Sequence, residues 1–364
     1  MVNLRIPGPT PVPVEVAQAG AAPMINHRGP EFAAMAARTT EGVKKVYQTT
    51  NDVVTLSASG TGAMEAAVVN LMAPGEEVLV VSIGEFGDRF MNLVKIYGGK
   101  LTELKFDPGL AADVNKIEDA LKKNPAIKTV FITHNETSTG VTNPILPDLA
   151  KVVHARDGGV LIVDAISSLS SVPVKTDEWD LDVVLSGSQK GWMTAPGLAF
   201  VSMNERAWAK AAANPQPRFY FDLKRHLDSL KSGQTPWTPA VSVWFQLDKS
   251  LELMLAEGLD QIFARHHRLA SKVRNGAKAM GLKLLASEGV ESDTVTAIRV
   301  PEGLNGDEII KTAIKEYDTV FAGGQGGLKG KIIRFGHLGY VTDSDIDAGL
   351  DALKGSLAKV GFKA

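Results

Sequence analysis

The chain has 364 residues, 44% hydrophobic and 22% charged, with a formal net charge of −2. That length suggests two domains whose cores need no staple, and the charge balance leaves no basic field for nucleic acid or an anionic membrane. Cysteine is absent, which excludes disulfide frameworks, thiolate metal sites, iron–sulfur clusters and a cysteine nucleophile.

The first 30 residues are rich in proline and glycine. The run Ile6-Pro7-Gly8-Pro9-Thr10-Pro11-Val12-Pro13 reads as an extended arm, not a helix, and residues 1–20 are assigned to it. A helix is expected over 31–48, a short strand over Val53–Ser57 and a small-residue helix over Gly62–Met72. Strands follow at Glu77–Ile83, Leu101–Phe106, Thr129–Thr133, Val160–Asp164 and Val183–Ser186, with helices such as 114–123 and 145–156 between several of them. Continuous apolar strands alternating with helices predict an α/β fold with a buried, mostly parallel sheet, and residues 21–250 form this larger domain. From Asp248 to Met280 the pattern is helical, with a break at Gly258. Beyond it come strands Lys283–Leu285 and Val295–Val300, helix 306–316, strand 331–335 and an amphipathic helix Asp343–Val360 capped by Thr342. Residues 251–364 are read as a smaller α/β domain. The basic stretch Arg265-His266-His267-Arg268 reads as the solvated face of the long helix. No run approaches a membrane span, and neither the first residues nor the last four resemble a targeting signal, so a cytoplasmic protein is expected.

Several short segments carry chemistry. Ser186-Gly187-Ser188-Gln189-Lys190-Gly191 follows a strand, which puts Lys190 at a carboxyl end of the sheet, where open α/β sheets bind ligands. An amine there can form a Schiff base if its pKa is lowered. A lone loop lysine is ordinarily a surface residue; Asp164, ending the apolar strand Gly159–Val163, alters that balance by placing a carboxylate at the same edge. Ser57-Ala58-Ser59-Gly60-Thr61-Gly62, between strand and helix, suits a phosphate at a helix N-terminus, or else is a glycine-rich turn. The turn Gly84-Glu85-Phe86-Gly87 offers Phe86 as a stacking ring or a core residue. His134 to Gly140 offers hydroxyls or plain turn chemistry. In Gly330 to Gly336, Arg334 stands between apolar neighbours, as a carboxylate-binding guanidinium or a structural ion pair would. The histidines include no His-Glu-x-x-His and no i, i+4 pair, so no metal site is expected.

Together these segments resemble the class V branch of the fold type I pyridoxal-phosphate enzymes, most closely the alanine–glyoxylate and serine–glyoxylate (serine–pyruvate) aminotransferases. The resemblance runs from Pro7-Gly8-Pro9 to Arg334-Phe335-Gly336-His337-Leu338-Gly339, and its most specific motif is Ser186-Gly187-Ser188-Gln189-Lys190. It implies a large domain with a mostly parallel sheet and a smaller C-terminal domain. It implies that Lys190 is the Schiff-base lysine for pyridoxal 5'-phosphate and that Asp164 pairs with the pyridine nitrogen. Ser59, Gly60, Thr61 and Gln189 would cradle the phosphate, Phe86 would stack on the ring where many relatives have Trp, and Thr137 would lie near the phenolic oxygen. Arg334 would bind the substrate carboxylate. Thr235 and Thr238, in Gln234-Thr235-Pro236-Trp237-Thr238-Pro239, match a segment that reaches the phosphate from a partner subunit, which implies a homodimer with shared active sites and an arm crossing the interface. Asn26-His27-Arg28 resembles a stretch near the substrate entrance.

The activity implied is ping-pong transamination of a small L-amino acid, alanine or serine, with glyoxylate or pyruvate, through pyridoxamine phosphate. A cysteine desulfurase is excluded by the missing cysteine. Transaminases for aminophosphonates, phosphoserine or ureidoglycine stay open while Arg28, Arg89 and Arg218 are unplaced. So does a non-catalytic relative serving as a subunit of another complex. A nicotinamide oxidoreductase lacks its glycine fingerprint.

Overall fold

The computed structural model describes residues 2–363. Its larger sheet has seven strands in the order Asp52–Leu56, Ala199–Met203, Val183–Gly187, Val160–Asp164, Thr129–Thr133, Glu77–Ser82, Lys100–Lys105. All neighbours are parallel except Ala199–Met203, which runs antiparallel to both of its partners. The three central parallel strands are buried at every residue, as continuous Val, Ile and Leu runs covered on both faces must be. One core lies on each face, and helices Pro30–Tyr47 and Gly60–Leu71 pack on opposite ones. This arrangement brings the carboxyl ends of Thr129–Thr133, Val160–Asp164 and Val183–Gly187 side by side, so Thr133 is in register with Asp164.

The second sheet has four strands in the order Asn3–Arg5, Thr319–Gly323, Ile332–Gly336, Val295–Arg299. Helices Leu259–Ala279, Gly306–Tyr317 and Asp343–Lys359 supply its core through Leu269, Ile309, Ile346 and Leu353, packed with Phe335. The expected helix break is real: Gly258 sits at φ 85° between helices Val241–Glu257 and Leu259–Ala279, a conformation that residues with a Cβ rarely adopt. Thr342 caps the last helix in a capping box with Asp345.

Four expectations are corrected. The arm is not extended throughout. Asn3–Arg5 is an edge strand, and Val14–Ala19 is a helix that starts after Pro13, where a missing N–H costs nothing, and buries Val16. Gly84–Gly87 is not a free turn: Glu85–Ile96 is a helix that buries Phe90, Leu93 and Val94. Lys283–Leu285 forms only a single bridge, Leu284 to Ile298. His266 is not solvated; it is buried, with Nδ1–H donating to the Ile262 carbonyl (2.7 Å) and Nε2 accepting the Gly339 N–H (3.0 Å).

Candidate active site

The Lys190 side chain is buried in the turn after Val183–Gly187, and its Nζ donates to the Pro7 carbonyl at 2.6 Å. Burial and the nearby guanidinium of Arg334 lower the amine to about 8, against the pull of Asp164, and Arg89 lowers it further. Asp164 is buried at its strand end. One carboxylate oxygen accepts the Ile166 N–H (2.9 Å) and the other faces the Thr133 hydroxyl at 3.5 Å. Desolvation pushes it up to about 6 although that N–H, Lys190 and Arg89 all pull it down.

Arg334 is buried on the second sheet. It donates Nε to the Gly323 carbonyl (2.8 Å), and one terminal nitrogen faces the Thr137 carbonyl (3.4 Å) and the Gln325 side-chain oxygen (3.2 Å). These bonds fix the plane of the fork and leave donors over. The Thr137 hydroxyl is turned to Ser167 Oγ at 2.8 Å. The neighbouring hydroxyls of Ser138 and Thr139 point back at Glu136.

Ser59 is the N-cap of helix Gly60–Leu71, and among the described residues its hydroxyl makes no capping bond. The first turn carries no acidic residue, and Arg89 donates to the Thr61 hydroxyl at 2.7 Å. A Cβ on Gly60 would sit 2.8 Å from Ile166 Cδ1 and 3.0 Å from its Cγ2, so a side chain there would push on Ile166, two residues after Asp164. The side-chain oxygen of Gln189 is buried with no hydrogen-bond partner among the described residues. Helix N-terminus, free hydroxyl and guanidinium together make a place for an anion.

Two residues escaped the sequence reading. Arg89, left unplaced there, lies 4.6 Å over the Phe86 ring, one turn along the same helix. Glu136 is fully buried and accepts from the N–H groups of Phe86 (3.1 Å), Gly87 (3.2 Å) and Ser138 (3.1 Å) and from the Ser138 hydroxyl (2.6 Å). It ties the start of the Phe86–Arg89 helix to the loop below Arg334. Desolvation raises it to about 7 despite these donors.

Other candidates lie apart from this cluster. The Thr235 hydroxyl bonds its own chain at the Trp237 carbonyl (2.7 Å), and Thr238 is exposed. Arg28 bonds Gln234 at 2.9 Å. Arg218 is spent on the carbonyls of Ala211, Asn214 and Gln216.

A family model described as aminotransferase class-V matches residues 14–348. The chain is 43% identical over 362 residues to a Synechococcus sp. (strain PCC 6716) protein named soluble hydrogenase, small subunit, covering 99% of this chain and 94% of that one. It is 39% identical over 361 residues to the L-aspartate–glyoxylate aminotransferase of Paracoccus denitrificans, covering 98% and 91%. Among solved structures it is similar to an alanine–glyoxylate aminotransferase from Nostoc sp., with TM-score 0.94, 27% identity and coverage of 98% and 95%. The match runs through every segment that meets at Lys190 from the phosphate-sized turn onward, and the chain belongs to the class V aminotransferases.

Proposed function

We propose that this chain is a pyridoxal-phosphate-dependent transaminase that moves the amino group of a small L-amino acid, alanine or serine, to glyoxylate or pyruvate, as a cytoplasmic homodimer. The observation that carries the reading is the burial of Lys190, Asp164 and Arg334 around one point, with the amine lowered to about 8. Both named aminotransferase relatives share glyoxylate as their oxo-acid partner.

The residues present fit the cofactor. The uncapped Ser59 and the side-chain-free Gly60, at a helix N-terminus with Arg89 beside Thr61, suit a phosphate ester. Ser59, Gly60, Thr61 and Gln189 would hold that phosphate, Phe86 the ring face, Asp164 the ring nitrogen, Thr137 the phenolic oxygen and Lys190 the carbonyl carbon. When bound, pyridoxal phosphate supplies a carbonyl that takes up the amino group and a ring that spreads the charge left by proton removal.

The chain's own residues do the rest. Arg334, its plane fixed by Gly323 and Thr137, orients the donor carboxylate. Lys190, with a pKa of about 8, is neutral in a useful fraction near neutral pH and takes the α-proton at Nζ. Asp164 would supply a negative charge to the ring nitrogen of a bound cofactor, and a cationic nitrogen there would hold the carboxylate ionised. Thr238, and Thr235 if its hydroxyl leaves the Trp237 carbonyl, would reach the phosphate of a second copy. In support, Phe219 and Tyr220 are exposed beside Trp237, with Arg225 stacked over Phe219 and Trp237, an aromatic surface next to that segment which a second copy covers.

The test is the visible spectrum of the purified protein with pyridoxal phosphate, followed on adding L-serine, L-alanine or L-aspartate and then glyoxylate. Bleaching by a donor and recovery with glyoxylate is the expected result; a yellow protein bleached by no donor overturns the substrate, and a protein that never turns yellow overturns the cofactor. A second reading, a subunit of a larger complex, draws on the name of the Synechococcus relative. This chain has no cysteine to ligate a metal centre through thiolate, and a scaffold has no need of a buried lysine beside a buried carboxylate.

A further inference from the structure

Residues 6–10 lie directly on the lysine. The Pro7 carbonyl accepts Lys190 Nζ at 2.6 Å. A Cβ built on Gly8, at φ 137°, would lie 2.7 Å from Nζ and within 2.9 Å of Cδ and Cε. Thr10 then clamps the turn that carries the lysine: its N–H donates to the Gln189 carbonyl (3.0 Å) and its hydroxyl to the Lys190 carbonyl (2.9 Å). Both ends of this stretch are anchored. Asn3–Arg5 pairs in parallel with Thr319–Gly323, whose other neighbour carries Arg334. Val14–Ala19 packs on helix Val241–Glu257, beside the larger sheet. A Cβ on Gly336, two residues past Arg334, would collide with the Ile6 carbonyl.

We propose that residues 6–10 are a strap that parks the Lys190 amine on the Pro7 carbonyl, and that Gly8 is a positioning residue whose missing side chain leaves the amine its place. A carbonyl oxygen can only accept. A neutral amine that donates one N–H to it is held in one rotamer with its lone pair free for the substrate. When that pair takes the proton from the donor's α-carbon, the C–H electrons stay with the substrate and the new ammonium keeps the same acceptor; returning the proton restores the neutral amine. Because the strap continues directly from Asn3–Arg5, a strand of the sheet that bears Arg334, it fixes the base relative to the group that orients the substrate. The catalytic consequence rests on the reading of Lys190 as the cofactor lysine, while the parking contact does not.

The test uses the full-length chain without added cofactor. The rate of reductive methylation of Lys190 by ¹³C-formaldehyde and cyanoborohydride, read on its peptide by mass spectrometry across pH, gives the amine's apparent pKa. The charged groups facing it are Asp164, Arg334 and Arg89, and all remain in the variants. Gly8→Ala is expected to lower the apparent pKa by about one unit, because the ammonium loses a charge-assisted acceptor. Thr10→Ala, which slackens the strap without adding an atom, is expected to shift it the same way by less. A purely structural role for the strap would alter melting without moving this profile. An unchanged profile in folded Gly8→Ala, or in Thr10→Ala should the first not fold, overturns the proposal. With pyridoxal phosphate then added, Lys190→Ala separates the two readings: a yellow Schiff-base band that survives in it refutes the cofactor lysine, whereas its loss with unshifted profiles in the strap variants refutes only the strap.

Discussion

Arg334 offers the sharpest test of how the site reads its substrate. The guanidinium already spends Nε on Gly323 and faces Thr137 and Gln325 with one terminal nitrogen. What it has left for a carboxylate is a pair of N–H directions in a buried setting. Charge-assisted bonds of this kind are worth about 1.5–3 kcal/mol each, so removing both should lower kcat/KM by roughly 10²- to 10⁴-fold for a donor with a carboxylate. Arg334→Lys keeps the charge but loses the fork and should lose roughly 10- to 150-fold. The assay is a substrate cycle: serine against ethanolamine, which is serine without its carboxylate, in the wild type and in Arg334→Met. The wild type should prefer serine strongly, and the variant should lose most of that preference by slowing with serine while changing little with ethanolamine. A Met variant that keeps the wild-type ratio would falsify the assignment, because the carboxylate would then be recognised elsewhere.

Other outcomes follow from single features. Arg89→Met should weaken pyridoxal phosphate binding at least about tenfold, measured by titration of the protein's Trp fluorescence, since the guanidinium beside Thr61 is lost from the anion site; unchanged affinity removes Arg89 from that site. His266 is held down at about 4 by burial, so its contribution to stability is present above its ordinary 6.5 and is lost as pH falls toward 4. The stability gap between wild type and His266→Gln in urea unfolding should therefore shrink by about 3 kcal/mol between pH 7 and 4, and a constant gap contradicts the neutral tautomer described above. Gly258→Ala adds a Cβ that meets nothing within 4 Å, so its cost is backbone strain alone, about 1–3 kcal/mol in the same unfolding assay; no loss would mean that the helices re-form across the break.

The central parallel strands were legible because Thr129–Thr133, Val160–Asp164 and Val183–Gly187 are mostly apolar runs that a doubly covered sheet buries. Their ends place Asp164 and Lys190 on one edge from the sequence alone. Two elements had signals that went unread. Leu198–Val201 is an apolar run following Pro196-Gly197, long enough for the antiparallel strand it forms. Phe86, Phe90 and Val94 repeat every fourth residue, so the helix was visible once Gly84 was taken as its N-cap and not as part of a turn; with that helix, Arg89 falls one turn from Phe86. The rest was not written locally. Asn3–Arg5 pairs with a strand near the far end of the chain, and no short-range pattern specifies such a partner. The Pro7 carbonyl has no side chain to announce it. Glu136 looks like an ordinary loop carboxylate until the Phe86 helix docks its N–H groups on it.

Burial moves each titratable group in this cluster toward its uncharged form: Lys190 down to about 8, Asp164 up to about 6, Glu136 up to about 7. A core built for stability alone would avoid three such groups or pair them closely. Here Lys190 reaches a backbone carbonyl and not Asp164, and Glu136 accepts neutral donors. The groups are hydrogen-bonded but buried without an opposite charge in contact, which costs the folded chain free energy that an incoming ligand can return. A phosphate at Ser59–Thr61 and a carboxylate at Arg334 would meet the guanidinium charges of Arg89 and Arg334, and a cationic ring nitrogen would favour the anionic form of Asp164. Ligand binding must then exchange protons with solvent around pH 6, where Asp164 titrates, and Asp164's share of that exchange should be lost in Asp164→Asn. Calorimetric titration with pyridoxal phosphate in buffers of different ionisation enthalpy measures it directly. Equal proton exchange in wild type and Asp164→Asn would leave the carboxylate without its partner, and the logic of the whole edge would fail with it.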